Sequence, residues 1–189
     1  MEATMNLIAL TFELLYDLLT APQGALKRIS KEEQIGPGLL VLVFTLLLAA
    51  SSMLLRYGSF SLPIAMLSVF GGTVGLLISV ALVHLLAVLL GGHGSIRGLF
   101  AAYCFSSFPV NFSVVFVGAG LLFHLRVTAL GDVFLTLWIL VLYFYAVRET
   151  YYGLGSIKSG LAVCWPGVLL AVTFFAISSV ALVAAVLAF

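Results

Sequence analysis

A chain of 189 residues that is 63% hydrophobic and 8% charged, with net charge +1 and mean hydropathy +1.28, lies outside the range of soluble domains. In those, about a quarter of residues are charged. A soluble enzyme is excluded, and a near-neutral chain with no basic run offers nothing to nucleic acid. A transmembrane β-barrel would show alternating segments of roughly ten residues, which these unbroken apolar stretches are not. The class expected is an all-α polytopic membrane protein, with five transmembrane helices and an N-terminal amphipathic, interfacial helix.

Met1 to Thr20 carries Glu2, Glu13 and Asp17 but no Lys or Arg, so it lacks the basic start of a signal peptide and no cleavage is expected. Residues 4–20 pattern as a helix with Asn6, Glu13 and Asp17 on one face and leucines over the rest. Surface helices that bind anionic lipid are basic on the polar face, whereas this one is acidic, which points to docking against a helical bundle. Thr20-Ala21-Pro22-Gln23 reads as a capping box with proline in the first turn, opening a short helix to about Ser30. Gly36-Pro37-Gly38 then divides a cytoplasmic segment, 1–36, from a membrane domain, 37–189.

The hydrocarbon core needs about 20 apolar residues per crossing, and the sequence offers spans at about 38–55, 62–90, 96–123, 132–152 and 161–188. Ser61, Ser95, Asp132 and Ser159 are the expected N-caps. The second span exceeds the core thickness, which calls for tilt or a bend at Gly71-Gly72; Gly71 and Gly75 form a GxxxG pair, and Ser178, Ala181 and Ala185 a second small-residue track. Either track can pack inside the bundle or form a face for a homo-oligomer or another membrane protein. Pro109 predicts a kink in the third span. With the N-terminus cytoplasmic and the C-terminus outside, the inner segments hold Lys27, Arg28, Lys31, Arg97, Arg148 and Lys158, against Arg56 and Arg126 outside. Tyr143, Tyr145, Tyr151, Tyr152 and Trp165 cluster towards the inner face as an aromatic belt would.

Signatures of intramembrane catalysis are missing: no HExxH, no GxSxG, no P-loop and no run of aspartates to hold Mg²⁺. Cys104 and Cys164 lie in apolar stretches without metal-ligand spacing, and Gly92-His93-Gly94-Ser95 reads as a glycine turn. Neither a catalytic set, a metal site nor a cofactor is expected. Ionisable and polar groups inside spans are the remaining candidates, because lipid penalises them. His84, Tyr103, Ser107, Asn111 and Glu149 fall in the inner half, where they either line a polar cavity open to the cytoplasm or are absorbed by local bonds within the bundle.

Ala21-Pro22, the turn Gly91-Gly92-His93-Gly94-Ser95-Ile96-Arg97, the run Ala102-Tyr103-Cys104-Phe105-Ser106-Ser107-Phe108-Pro109 and the polar link from Arg148 to Ala162 resemble the Yip-one domain family, the Ypt-interacting proteins. The resemblance implies five helices with a cytoplasmic N-terminus and, for eukaryotic members, a part in vesicle trafficking through Rab GTPases. The long N-terminal region and the acidic Asp-Leu-x-Gly-Pro motif of those members are missing, so no GTPase-binding residue transfers. The compact chain resembles the prokaryotic branch, which implies a cell membrane location. Two functions remain in play: a non-enzymatic scaffold that organises membrane lipids or partner proteins, and a small transporter or channel, or a subunit of one, using the inner cavity.

Overall fold

The computed structural model describes residues 2–57, 62–123 and 125–169. The elements are α1 (Glu2–Thr20), α2 (Pro22–Lys31), α3 (Ile35–Tyr57), α4 (Leu62–Leu89), α5 (Ile96–Ser106), a 3₁₀ turn (Phe108–Phe112), α6 (Ser113–Phe123) and α7 (Leu125–Thr150). A further helix, α8, runs from 156 to the last described residue, 169. Among the described residues, four stretches are long and apolar enough to cross a membrane: Ile35–Leu55, Leu62–Leu89, Ile96–Leu122 and Val127–Thr150. Most of the expected fifth span, 161–188, lies outside the described residues, as do Ser61 and the track at Ser178, Ala181 and Ala185.

Helix boundaries depart from the sequence expectations in instructive places. Thr20 does not cap α2: its hydroxyl donates back to Tyr16 O at 3.0 Å and closes α1, while Ala21 is the N-cap, with Pro22 in the first turn. α3 starts at Ile35, running through Gly36-Pro37-Gly38 instead of after it. Proline in a first turn costs no hydrogen bond, which is why the expected divider is helical. The fourth span likewise begins at Leu125, so Asp132 sits inside α7 and its carbonyl accepts from Thr136 Oγ1 at 2.7 Å. What extends α7 backwards is its packing on α6: a Cβ on Gly131 would press on the Phe116 ring, and Thr128 Oγ1 donates to Phe116 O at 3.3 Å. Ser159 is also helical, its hydroxyl bonded to Gly155 O at 3.2 Å. Ser95 caps α5 as expected, accepting from Gly98 N.

The third span is interrupted and not merely kinked. The helix stops at Ser106, five residues form the 3₁₀ turn containing Pro109, and helix resumes at Ser113. Proline lacks the N–H that would continue the ladder, so the break is local chemistry. By contrast α4 stays helical through Gly71-Gly72.

The densest packing sits at one end of the bundle. Leu26 and Ile29 of α2, Leu99 and Phe105 of α5, Val83 and Ala87 of α4, and Ala146 and Val147 of α7 are all fully buried. Towards the other end large apolar side chains face outward, among them Met66, Leu122 and Leu130. Such a surface suits lipid, where apolar exposure costs nothing.

α2 lies close on α5, where a Cβ added to Gly98 would lie 3.0 Å from Ser30 Oγ and 3.1 Å from Ser30 C. Gly98→Val is therefore expected to lower the melting temperature, overpacking of this kind costing about 1–3 kcal/mol. Gly71→Val, with nothing within 4 Å of the new Cβ, should leave it nearly unchanged in a detergent melt.

Candidate functional site

The polar residues converge on the packed end. α2 carries Ala25, Leu26, Ile29 and Ser30 on one buried face and Lys27 and Lys31 outside. Ser30 lies on the apolar side, and there its hydroxyl donates to Thr150 Oγ1 at 2.8 Å; Thr150 donates onward to Ala146 O at 2.6 Å. At the rim Gln23 Nε2 donates to Glu149 Oε1 at 2.7 Å. Arg28 gathers three carboxylates: Glu13 at 2.7 Å, Asp17 at 3.5 Å and Glu32 at 3.4 Å. The hydrogen bond and charge of Glu13 raise the guanidinium pKa further above its usual value. This network ties the acidic edge of α1 to α2.

Two turns complete this end. Glu33, at φ 47°, reverses the chain from α2 into α3, and its carboxylate accepts from Ser95 Oγ. His93 and Tyr152 exchange two backbone hydrogen bonds of 3.0 Å, joining the α4–α5 turn to the α7–α8 link. Gly91 and Gly153, at φ 88° and 86°, supply the left-handed conformations that these turns require. Lys158 Nζ donates to Leu90 O at 3.0 Å, and Lys31 sits 5.6 Å from the centre of the Tyr152 ring. The six cationic positions Lys27, Arg28, Lys31, Arg97, Arg148 and Lys158 thus share one end of the bundle.

Of the five residues expected to line an inner cavity, four take separate partners. His84 Nδ1 hydrogen-bonds the Tyr151 hydroxyl. The Tyr103 ring stacks on Tyr143 with centroids 4.2 Å apart. Ser107 Oγ donates to Cys104 O at 2.7 Å, and Glu149 accepts from Gln23. Both polar atoms of the Asn111 side chain are buried with no partner among the described residues. Among the described residues no hydrogen bond joins any two of the five. Gly71 and Gly75 face open space among the described residues. Of the helix-packing candidates, Ala181 and Ala185 lie outside them.

Sequence reasoning missed Ser30, Thr150, Gln23 and Glu33, and it assigned Tyr151 to an aromatic belt although the ring is 1% exposed. One signal was present: Ser30 falls on the same helical face as Leu26 and Ile29, and a polar side chain on an apolar face wants a buried partner.

A second polar group lies at the break in the third span. α3 and α5 start side by side, joined by Glu33 and Ser95, and a Cβ on Gly38 would lie 3.4 Å from both Ala101 Cα and Cys104 Cβ. Seven residues on, on the same face of α3, Thr45 comes level with the 3₁₀ turn. Thr45 and Ser106 are 4% and 0% exposed, and neither hydroxyl has a partner among the described residues; the same holds for Ser113.

The described residues form a helical bundle with four apolar stretches of membrane length and one polar end, the architecture of an integral membrane protein of the helical class. Its sequence matches the Yip1 domain over residues 16–180, and the chain belongs to the Yip1 domain family. No curated protein and no solved structure matches it. The resemblance carried by the glycine turn, the Pro109 run and the polar link is therefore real.

A buried amide without a partner costs about 1–3 kcal/mol, which an apolar side chain of similar size avoids. Asn111→Leu is accordingly expected to raise the melting temperature. A fall would show that the amide holds a bound polar group.

Proposed function

We propose that the chain is a non-enzymatic membrane scaffold of the Yip class that organises lipids or partner proteins. The observation that carries this reading is how the polar end spends its groups. Carboxylates, guanidinium, hydroxyls and His84 are bonded to one another, locking α1 and α2 onto the bundle. Bonded in this way, the groups hold the helices in one arrangement. The family is in general not one of enzymes, which agrees. Gly71 and Gly75, open among the described residues, give α4 a face that a neighbouring helix could approach closely.

In this reading the chain crosses five times, residues 1–36 form the cytoplasmic interfacial segment, and the remainder is the membrane domain of a prokaryotic cell-membrane protein with its C-terminus outside. The six cations gathered at one end support placing that end in the cytoplasm. A cysteine at Gln23 should react with a membrane-impermeant maleimide in inside-out vesicles and not in intact cells; the reverse pattern would invert the topology.

The transport alternative keeps one specific support, Thr45, Ser106 and Asn111, without partners among the described residues at a broken helix inside the membrane, since discontinuous spans often mark binding sites. Mild crosslinking in the native membrane followed by purification and mass spectrometry separates the two. Scaffolding predicts recovery of one defined protein partner in near-equal amount. Recovery of the protein alone, with a small solute retained, would replace it by transport.

A further inference from the structure

Charge at the packed end is paired unevenly. Glu13, Asp17 and Glu32 all meet Arg28, while Glu33 accepts from Ser95 and Glu149 from Gln23. Of the two other acidic side chains, Glu2 opens α1 about 22 Å along that helix from Asp17, and Asp132 lies about 24 Å along α7 from Arg148, at 1.5 Å per residue. Lys27, Lys31, Arg97, Arg148 and Lys158 are exposed, and none has an ion pair among the described residues. Residues 1, 58–61, 124 and 170–189, outside the described ones, include no Asp or Glu that could neutralise them.

Four of these cations meet at one corner. Gln23, Lys27 and Lys31 share a stripe of α2, each one turn on from the last. Gln23 touches Glu149 and Lys31 touches Tyr152, so Lys27 lies between the two contacts, along the end of α7. Arg148 is in the last turn of α7, next to Glu149. Lys158 arrives from α8: it donates to Leu90 O beside the turn whose His93 is paired with Tyr152. Glu149 is the one carboxylate at this corner among the described residues, against four cations.

The corner stands where two spans finish, since α4 ends at Leu89 and α7 at Thr150. From Ile157, beside Lys158, α8 turns an apolar stripe outward: Ile157, Leu161 and Trp165 are 83%, 59% and 41% exposed. The stripe covers about 12 Å of helix, which fits one leaflet's share of a hydrocarbon core about 30 Å thick. An acidic segment of a soluble partner would answer the cations and leave the stripe bare. A phospholipid brings a phosphate and apolar tails in the same order as the corner and the stripe. A zwitterionic headgroup carries its own cationic group, which these side chains repel, whereas an anionic one supplies net negative charge. Basic clusters at the end of a membrane helix attract such lipids.

We propose that the corner formed by Lys27 and Lys31 of α2, Arg148 of α7 and Lys158 of α8 is a headgroup site for an anionic phospholipid, whose tails lie along Ile157, Leu161 and Trp165. This deepens the membrane-organising reading and rests on it, including the entry of α8 into the bilayer, by naming the class of lipid that is held and where. The test reads lipid retention and the crosslinking experiment reads protein partners, so either can fail without the other.

The full chain, reconstituted in vesicles of equal phosphatidylglycerol and phosphatidylcholine with matched tails and extracted in mild detergent, is examined by native mass spectrometry. Phosphatidylglycerol should be retained in preference. Lys27→Gln combined with Arg148→Gln should lower its retention about fivefold for each cation removed. Neither side chain has a hydrogen bond or ion pair among the described residues, so the melting temperature should stay at the wild-type value; Lys27→Gln alone replaces the pair if the double variant fails to fold. Arg56→Gln combined with Arg126→Gln removes the same charge at the opposite end of the bundle and should leave retention unchanged. Equal retention of the two lipids, undiminished phosphatidylglycerol in the corner variant, or an equal loss in the opposite-end variant would each overturn the proposal. Displacement of phosphatidylglycerol by a polyglutamate peptide at equal charge would assign the corner to an acidic protein segment and overturn it as well.

Discussion

Everything at the packed end depends on one contact, the seating of α2 across α5 and α7. Inside a bilayer helices gain nothing from hiding apolar surface from one another, so a bundle must be held by close packing and internal hydrogen bonds. Gly98 lets the α2 backbone approach α5, and Ser30 then reaches Thr150 at 2.8 Å in a dry environment. A hydrogen bond there is stronger electrostatically than in water, and loss of one partner would strand the other. From this contact α2 carries Arg28, and Arg28 carries the acidic edge of α1. The N-terminal segment thus becomes a fixed wall of the molecule.

The two halves of the bundle differ in what they can do. Near the polar end, side chains are buried and polar groups are consumed by turns, ion pairs and short bonds. Away from it the helices expose leucine, valine and phenylalanine to lipid and touch through small residues, as Gly120 does with Thr128 and Gly131 with Phe116. The division falls at the 3₁₀ turn. α5 belongs to the rigid end, whereas α6 pairs with α7, so the interrupted third span lets one crossing serve two packing environments.

The proposed scaffold function follows the same division. A locked polar end and an outer surface free to meet lipid or another helix suit a protein that positions other molecules without transforming them.

Much was legible in the sequence. Apolar runs of membrane length could only be crossing helices, Pro109 was readable as a kink because it lacks an N–H, and Ser95 was readable as a cap; the turn, Pro109 run and polar link pointed to the Yip1 family. These features follow from local backbone chemistry or from transfer out of water, and neither needs a partner elsewhere in the chain. Partner choice was not legible. That His84 meets Tyr151 at a separation of 67 residues, that Ser30 meets Thr150 across 120, and that Asn111 is buried without a partner among the described residues are outcomes of how α2, α4 and α7 come together. The extents of α3 and α7 were settled in the same way, since Gly36-Pro37-Gly38 and Asp132 are compatible with either a break or a helix. Their side chains leave the local balance near even, and packing against neighbouring helices decides it.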